Sequence, residues 1–158
     1  MPRSLAEDIL EFAHSSDKTV YRAALEGVAN LRKVRPVFLE RQPRADRYPT
    51  LIASLSRPTL EGAADGLIRN WLLKKHSALL VDFMDALKIQ HEKGVVNELP
   101  KTIDDALLRN ALETILAKHP ADVVSLYLRA FNGMNGENWA NLDSILSSDS
   151  RLQWPVPA

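Results

Sequence analysis

The residues of this chain best suited to hold a metal or move a proton near neutral pH are its four histidines, His14, His76, His91 and His119. None stands four residues from another, the spacing that puts two imidazoles on one helix face. His91-Glu92 runs on into Lys93-Gly94 and so does not begin a zinc-protease motif. His76 and His119 fall at corresponding turns between helices, where an imidazole is expected to cap backbone groups or offset a helix dipole. Carboxylates pair at Glu7-Asp8, Asp82 with Asp85, and Asp104-Asp105. A di-metal helical bundle needs glutamates on several helices plus a Glu-x-x-His element, and the sequence has no Glu-x-x-His. Asp104 and Asp105 suit the first turn of a helix, and Asp82 and Asp85 the solvated side of one. With no cysteine there is no thiolate nucleophile, thiolate metal site or disulfide frame. The six glycines are dispersed and form neither a phosphate-binding loop nor a nucleophile elbow. No catalytic residue, metal ligand or cofactor is therefore expected, and an enzyme assembled without a recognisable motif is the last of three alternatives.

Two other features bear on binding. Residues 32–57 hold seven Lys or Arg against Glu40 and Asp46, in a chain whose formal net charge is zero. Arg32, Lys33, Arg35, Arg41, Arg44 and Arg47, with Tyr48 among them, are candidates for nucleic-acid contact: basic groups displace counterions from phosphates, and an aromatic stacks on an unpaired base. The overall neutrality opposes this, because nucleic-acid-binding domains tend to be strongly basic. The alternative is that these side chains pair with acids elsewhere or cover apolar surface with their stems. At the other end, Trp154, Pro155, Val156 and Pro157 form an apolar tail that two prolines keep from being helical. It is expected to dock on its own domain, or else to reach into a neighbour.

The elements that would position these residues read as helices. Ser4 with Glu7 makes a capping box before Leu5, Ile9, Leu10 and Phe12. Thr19 is expected to cap a helix through Val20, Ala23, Ala24, Val28 and Leu31, and Pro36 suits the first turn of another with Val37, Phe38 and Leu39. Gln42–Pro49 reads as a loop, followed by a short helical piece from Thr50 to Ser56. After Pro58, with Thr59 as cap, Leu60, Ala63, Ala64, Leu67, Ile68, Trp71 and Leu72 form a stripe at helical period. Ser77 is expected to cap the next helix, which carries Leu79 to Leu87 and stops near Gly94. Thr102 is expected to cap one through Ile115 and Leu116, and Pro120 to start one that Gly133 ends. A last helix holds Trp139, Leu142, Ile145 and Leu146. The core is expected from Leu67, Trp71, Leu72, Leu80, Phe83, Met84, Leu108, Leu112, Ile115, Val124, Tyr127, Leu128 and Phe131.

The fold class is thus all-α, with seven to nine helices in one domain over residues 1–158. Thr19, Thr59 and Thr102 stand 40 and 43 residues apart, and the apolar positions that follow them align. This suggests helix pairs near 19–42, 59–94 and 102–133, with a tail at 151–158. Such a period is that of HEAT-like or armadillo-like stacked antiparallel pairs. A compact multi-helix bundle is the alternative. No apolar run approaches the ~20 residues that cross a bilayer, and acids stand where a signal peptide needs an apolar stretch. The expectation is a cytoplasmic, soluble protein that binds no membrane. Its work is expected to be that of a non-enzymatic protein-interaction or scaffold module, with a nucleic-acid-associated protein as the second reading. A binding module predicts an exposed apolar patch.

Overall fold

Amphipathic stripes become helices over most of the chain. The computed structural model describes residues 1–134 and 137–154. Among these are nine α-helices and two 3₁₀ turns, and no strand, only an isolated bridge between Glu92 and Val95. The all-α expectation and its helix number hold. The packing falls into two compact units, Arg3–Lys75 and His76–Ala158 with Met1–Pro2.

The first unit holds α1 (Arg3–Ser16), α2 (Lys18–Arg32), α3 (Pro36–Arg41), α4 (Arg44–Leu55) and α5 (Glu61–Lys75). Helix α2 is its hub and packs against each of the other four. Its buried face carries Tyr21, Ala24, Leu25, Val28 and Ala29, while α1 contributes Leu5, Ile9, Leu10 and Ala13. Trp71 of α5 is 1% exposed, and its indole N–H donates to Asp8 Oδ2 at 2.9 Å. That bond satisfies the one polar atom of a buried indole. The same carboxylate lies 2.7 Å from Lys75 Nζ.

Several expected helix ends are displaced. Ser4 lies inside α1 rather than at its cap, and Asp17, not Thr19, caps α2 by accepting from the Val20 N–H. Of the expected loop over 42–49 only Gln42 and Pro43 stay outside a helix; the rest is the start of α4, with Pro49 inside it. A proline within a helix deletes the hydrogen bond to the carbonyl four residues back, here that of Ala45, which is solvent-exposed. Burial of Tyr48 and Leu51 on the inner face of α4 offsets the loss, and the Tyr48 hydroxyl donates to Glu11 Oε2 at 2.7 Å. Burial, reinforced by that bond, pushes the Tyr48 phenol up to about 12.

The second unit holds α6 (Ser77–Ala86), α7 (Asp105–Lys118), α8 (Ala121–Met134) and α9 (Ala140–Ser148). Helix α6 packs on α7, α7 on α8, and α8 on α9. The helix pair expected over 59–94 is divided between units, with α5 in the first and α6 in the second. Phe83 meets the rings of Tyr127 and Phe131 edge-on, each at 5.6 Å between centroids, and Phe131 reaches Trp139 at 5.4 Å. Of the expected core, every residue is buried except Phe131, which is half-buried. Asp104, not Thr102, caps α7, accepting from the Leu107 N–H at 3.0 Å. His76 occupies the N-cap position of α6 in place of Ser77. Helix α8 continues through Gly133 to Met134.

Helix α6 stops well before Gly94. Lys88 takes a left-handed conformation (φ 56°), and the N–H groups of Lys88 and Ile89 bond back to Asp85 and Met84. The first unit repeats this arrangement at the end of α2, where Lys33 (φ 57°) and Val34 bond back to Asn30 and Ala29. Both are Schellman closures with lysine where glycine is usual. Gly94 serves a different purpose. Its φ of 85° completes the turn closed by Glu92 and Val95, and its Cα lies so near α6 that a Cβ would overlap Leu80 and the Val81 nitrogen.

Candidate functional site

The local sequence decides the shape of the corner between α2 and α4. The Schellman closure at Lys33 turns the chain sharply, and Arg35 is extended (ψ 143°), as the residue before a proline should be. Pro36 then sits at the first position of α3, where its missing N–H costs nothing. Six residues later Gln42 is extended again before Pro43, the N-cap residue of α4. A helix this short buries only one side, and Leu39 is its sole buried residue. Three consecutive apolar residues span about 200° of helix surface, so when Leu39 turns inward its neighbours cannot follow. Val37 and Phe38 remain 44% and 56% exposed, Phe38 more than any other large apolar residue among the described residues.

Val34, Val37, Phe38 and Pro43, with Arg35, Arg41 and Gln42, line a shallow open groove of about 680 Å³. Arg35 stands at one end of α3 and Arg41 at the other. Neither has an ion pair among the described residues, and the same holds for Arg32 and Lys33, both exposed at the end of α2. The Gln42 side-chain oxygen is buried here without a hydrogen-bond partner.

The structure places the six basic candidates in three different settings. Arg35 and Arg41 flank the groove. Arg32 shares a smaller recess of about 260 Å³ with Leu31, Ser54 and Arg57, while Lys33 occupies the turn above. Arg44 and Arg47 face Tyr48, with guanidinium carbons 5.0 and 5.6 Å from the ring centroid. Arg44 is also 3.2 Å from Glu11 Oε2, and Arg47 donates to the Glu40 carbonyl oxygen at 3.2 Å. These two therefore hold α4 in place. Tyr48 is 2% exposed and presents no free face for stacking.

Sequence reasoning named the arginines but missed the apolar floor between them. The available signal was Val37-Phe38-Leu39, a triplet wider than the single buried side of a six-residue helix.

The remaining candidates are held in structural contacts. His119 Nε2 lies 2.7 Å from Asp82 Oδ2, which ties the end of α7 to α6; the ring meets a carboxylate of the neighbouring helix rather than the backbone groups it was expected to cap. His91 Nδ1 accepts the Gly94 N–H at 2.9 Å, which leaves Nε2 to carry the hydrogen directed at Asp85 Oδ1, 2.6 Å away. His14 meets the Tyr21 ring edge-on at 4.9 Å. Among the described residues no group of three or more His, Asp or Glu side chains could hold a metal ion. No described helix is long and apolar enough to cross a membrane.

Trp154 is half-buried against its own unit. The Arg129 guanidinium carbon stands 4.9 Å from its ring centroid, and Arg129 also donates to Ser125 Oγ and to the carbonyls of Leu146 and Leu152. Pro155, Val156 and Pro157 lie outside the described residues. Comparison with protein-family models, curated proteins and solved structures finds no match to this chain, so a functional reading has to rest on the geometry of the groove beside α3.

Proposed function

We propose that this chain is a non-enzymatic protein-interaction module and that α3, with the turns on either side, is its binding surface. The observation that carries the reading is the exposure of Val37 and Phe38 side by side on a helix whose ends bear Arg35 and Arg41. An exposed phenylalanine with a shallow apolar surround is the kind of anchor that supplies most of the energy of a protein contact. The flanking arginines add specificity and speed of encounter.

Affinity capture from a lysate of the source, comparing the wild-type chain with Phe38→Glu, tests the reading. Proteins retained by the wild type and lost with the variant support it, provided circular dichroism shows the variant folded. An identical set of retained proteins refutes it.

The nucleic-acid reading keeps Arg32, Lys33, Arg35 and Arg41 as exposed contacts. It is weakened by the engagement of Arg44 and Arg47 and by the burial of Tyr48. Nuclease treatment of the same lysate separates the two, because only nucleic-acid-dependent retention disappears with it.

A further inference from the structure

The groove beside α3 also carries information about what fills it. Its floor is apolar, from Val34, Val37, Phe38 and Pro43, and its basic groups lie at both ends rather than along one edge. Arg35 and Arg41 are six residues apart, which is about 9 Å of rise along the helix axis. Arg32 and Lys33 precede Arg35 in the chain and are exposed, and the only acid on α3 itself is the exposed Glu40.

We infer that the occupant is a short acidic amphipathic segment of another protein. Resting on the interaction-module reading, this assigns the partner an apolar anchor over Phe38 with Asp or Glu on both sides of it. The spacing fits such a segment in either common form. Acids three residues apart in an extended chain, or two turns apart on a helix, are separated by about 10 Å. A phosphate backbone fits less well. It would track a continuous basic channel, whereas here an apolar floor separates the two charged ends.

The experiment is a selection of displayed random short segments against the full chain, with affinities of the enriched sequences measured by fluorescence anisotropy. Enriched sequences should pair an apolar residue with flanking Asp or Glu. Phe38→Ala should weaken them at least ten-fold, the loss of a single anchor side chain. The exposed pair Arg35→Glu with Arg41→Glu should abolish measurable binding, and Glu40→Lys should tighten it. Binding should weaken as salt rises above about 0.15 M, since the rim charges are screened there. The double arginine variant changes exposed side chains only, so it serves if Phe38→Ala disturbs the fold.

Enriched sequences that depend on Phe38 but are neutral or basic overturn the acidic assignment and leave the module reading standing. Enrichment indifferent to both variants, or none at all, overturns the groove and with it that reading. A single-stranded RNA probe that binds with loss in the double arginine variant, while no segment does, transfers the site to nucleic acid. A Phe38-dependent dimer in sedimentation equilibrium identifies a second copy of the chain as the occupant and overturns the proposal.

Discussion

Replacing Gly94 by alanine should be among the most damaging single-methyl changes in this protein. The residue has φ 85°, a region that costs an L-residue about 1–2 kcal/mol. An added Cβ would also fall on Leu80 Cβ, 2.9 Å from the Leu80 carbonyl carbon and 3.0 Å from the Val81 nitrogen. Two of those atoms are helix backbone and cannot rotate aside. The turn cannot keep both its place on α6 and its internal shape, and distorting it gives up the paired Glu92–Val95 backbone bonds and the bond from Gly94 N–H to His91 Nδ1. At about 1 kcal/mol net for each bond lost, the total comes to about 3 kcal/mol or more, or roughly 6–12 °C in Tm for a domain of this size. Gly62 and Gly66 provide the contrast. Both lie within α5 with nothing within 4 Å of an added Cβ, so alanine there should stabilise by about 0.5–1 kcal/mol each through helix propensity. Thermal and urea unfolding, followed by circular dichroism and tryptophan fluorescence, checks the signs; Trp71 reports on the first unit and Trp139 on the second. A neutral Gly94→Ala, or a Gly62→Ala that destabilises, would refute the reasoning.

The helix ends give a second test in urea unfolding: Asp104→Ala should cost about 1 kcal/mol through loss of its bond to the Leu107 N–H, while Thr102→Ala should change stability by less than about 0.5 kcal/mol. Lys88→Gly should raise stability by about 0.5–1 kcal/mol, since it removes the left-handed strain at the end of α6. Stability should also decline at alkaline pH: the folded Tyr48 phenol is raised from about 10 to about 12, so its contribution is complete below pH 10 and lost as pH climbs between those values. Tyr48→Phe should flatten that decline in pH-dependent denaturation, leaving the part due to Tyr21 and Tyr127, which burial also raises. On the acid side, hydrogen bonds from Arg151 hold Glu113 and Asp149 below the usual carboxylate range. Their contribution is present above that range and is lost as pH falls through the lowered values, so Arg151→Gln should reduce acid sensitivity.

Much of the architecture was legible because it depends on neighbours a turn away. The stripe that includes Leu67, Trp71 and Leu72 specifies one face of a helix whatever lies opposite, and all three are buried. Pro36 marks the start of α3 because a missing N–H is harmless only in a first turn. The absence of cysteine removes whole classes of chemistry without reference to structure. What tertiary structure decided were outcomes that residues far apart in sequence settle together. Gln42–Pro49 reads as a loop from its two prolines, yet most of it is helix, because Tyr48 is buried and bonded to Glu11, 37 residues away. Lysines at positions 33 and 88 end helices where glycine would be the local signal, and nothing in their side chains announces it. The candidate site shows the same division. The charges of Arg35 and Arg41 are plain in the sequence, but Arg44 and Arg47 look no different there and are held against Tyr48, Glu11 and the Glu40 carbonyl. Nor does the Val37-Phe38-Leu39 triplet say which member turns inward. Packing of α3 against α2 buries Leu39 and leaves Val37 and Phe38 to solvent, because a helix of six residues has only one side to bury.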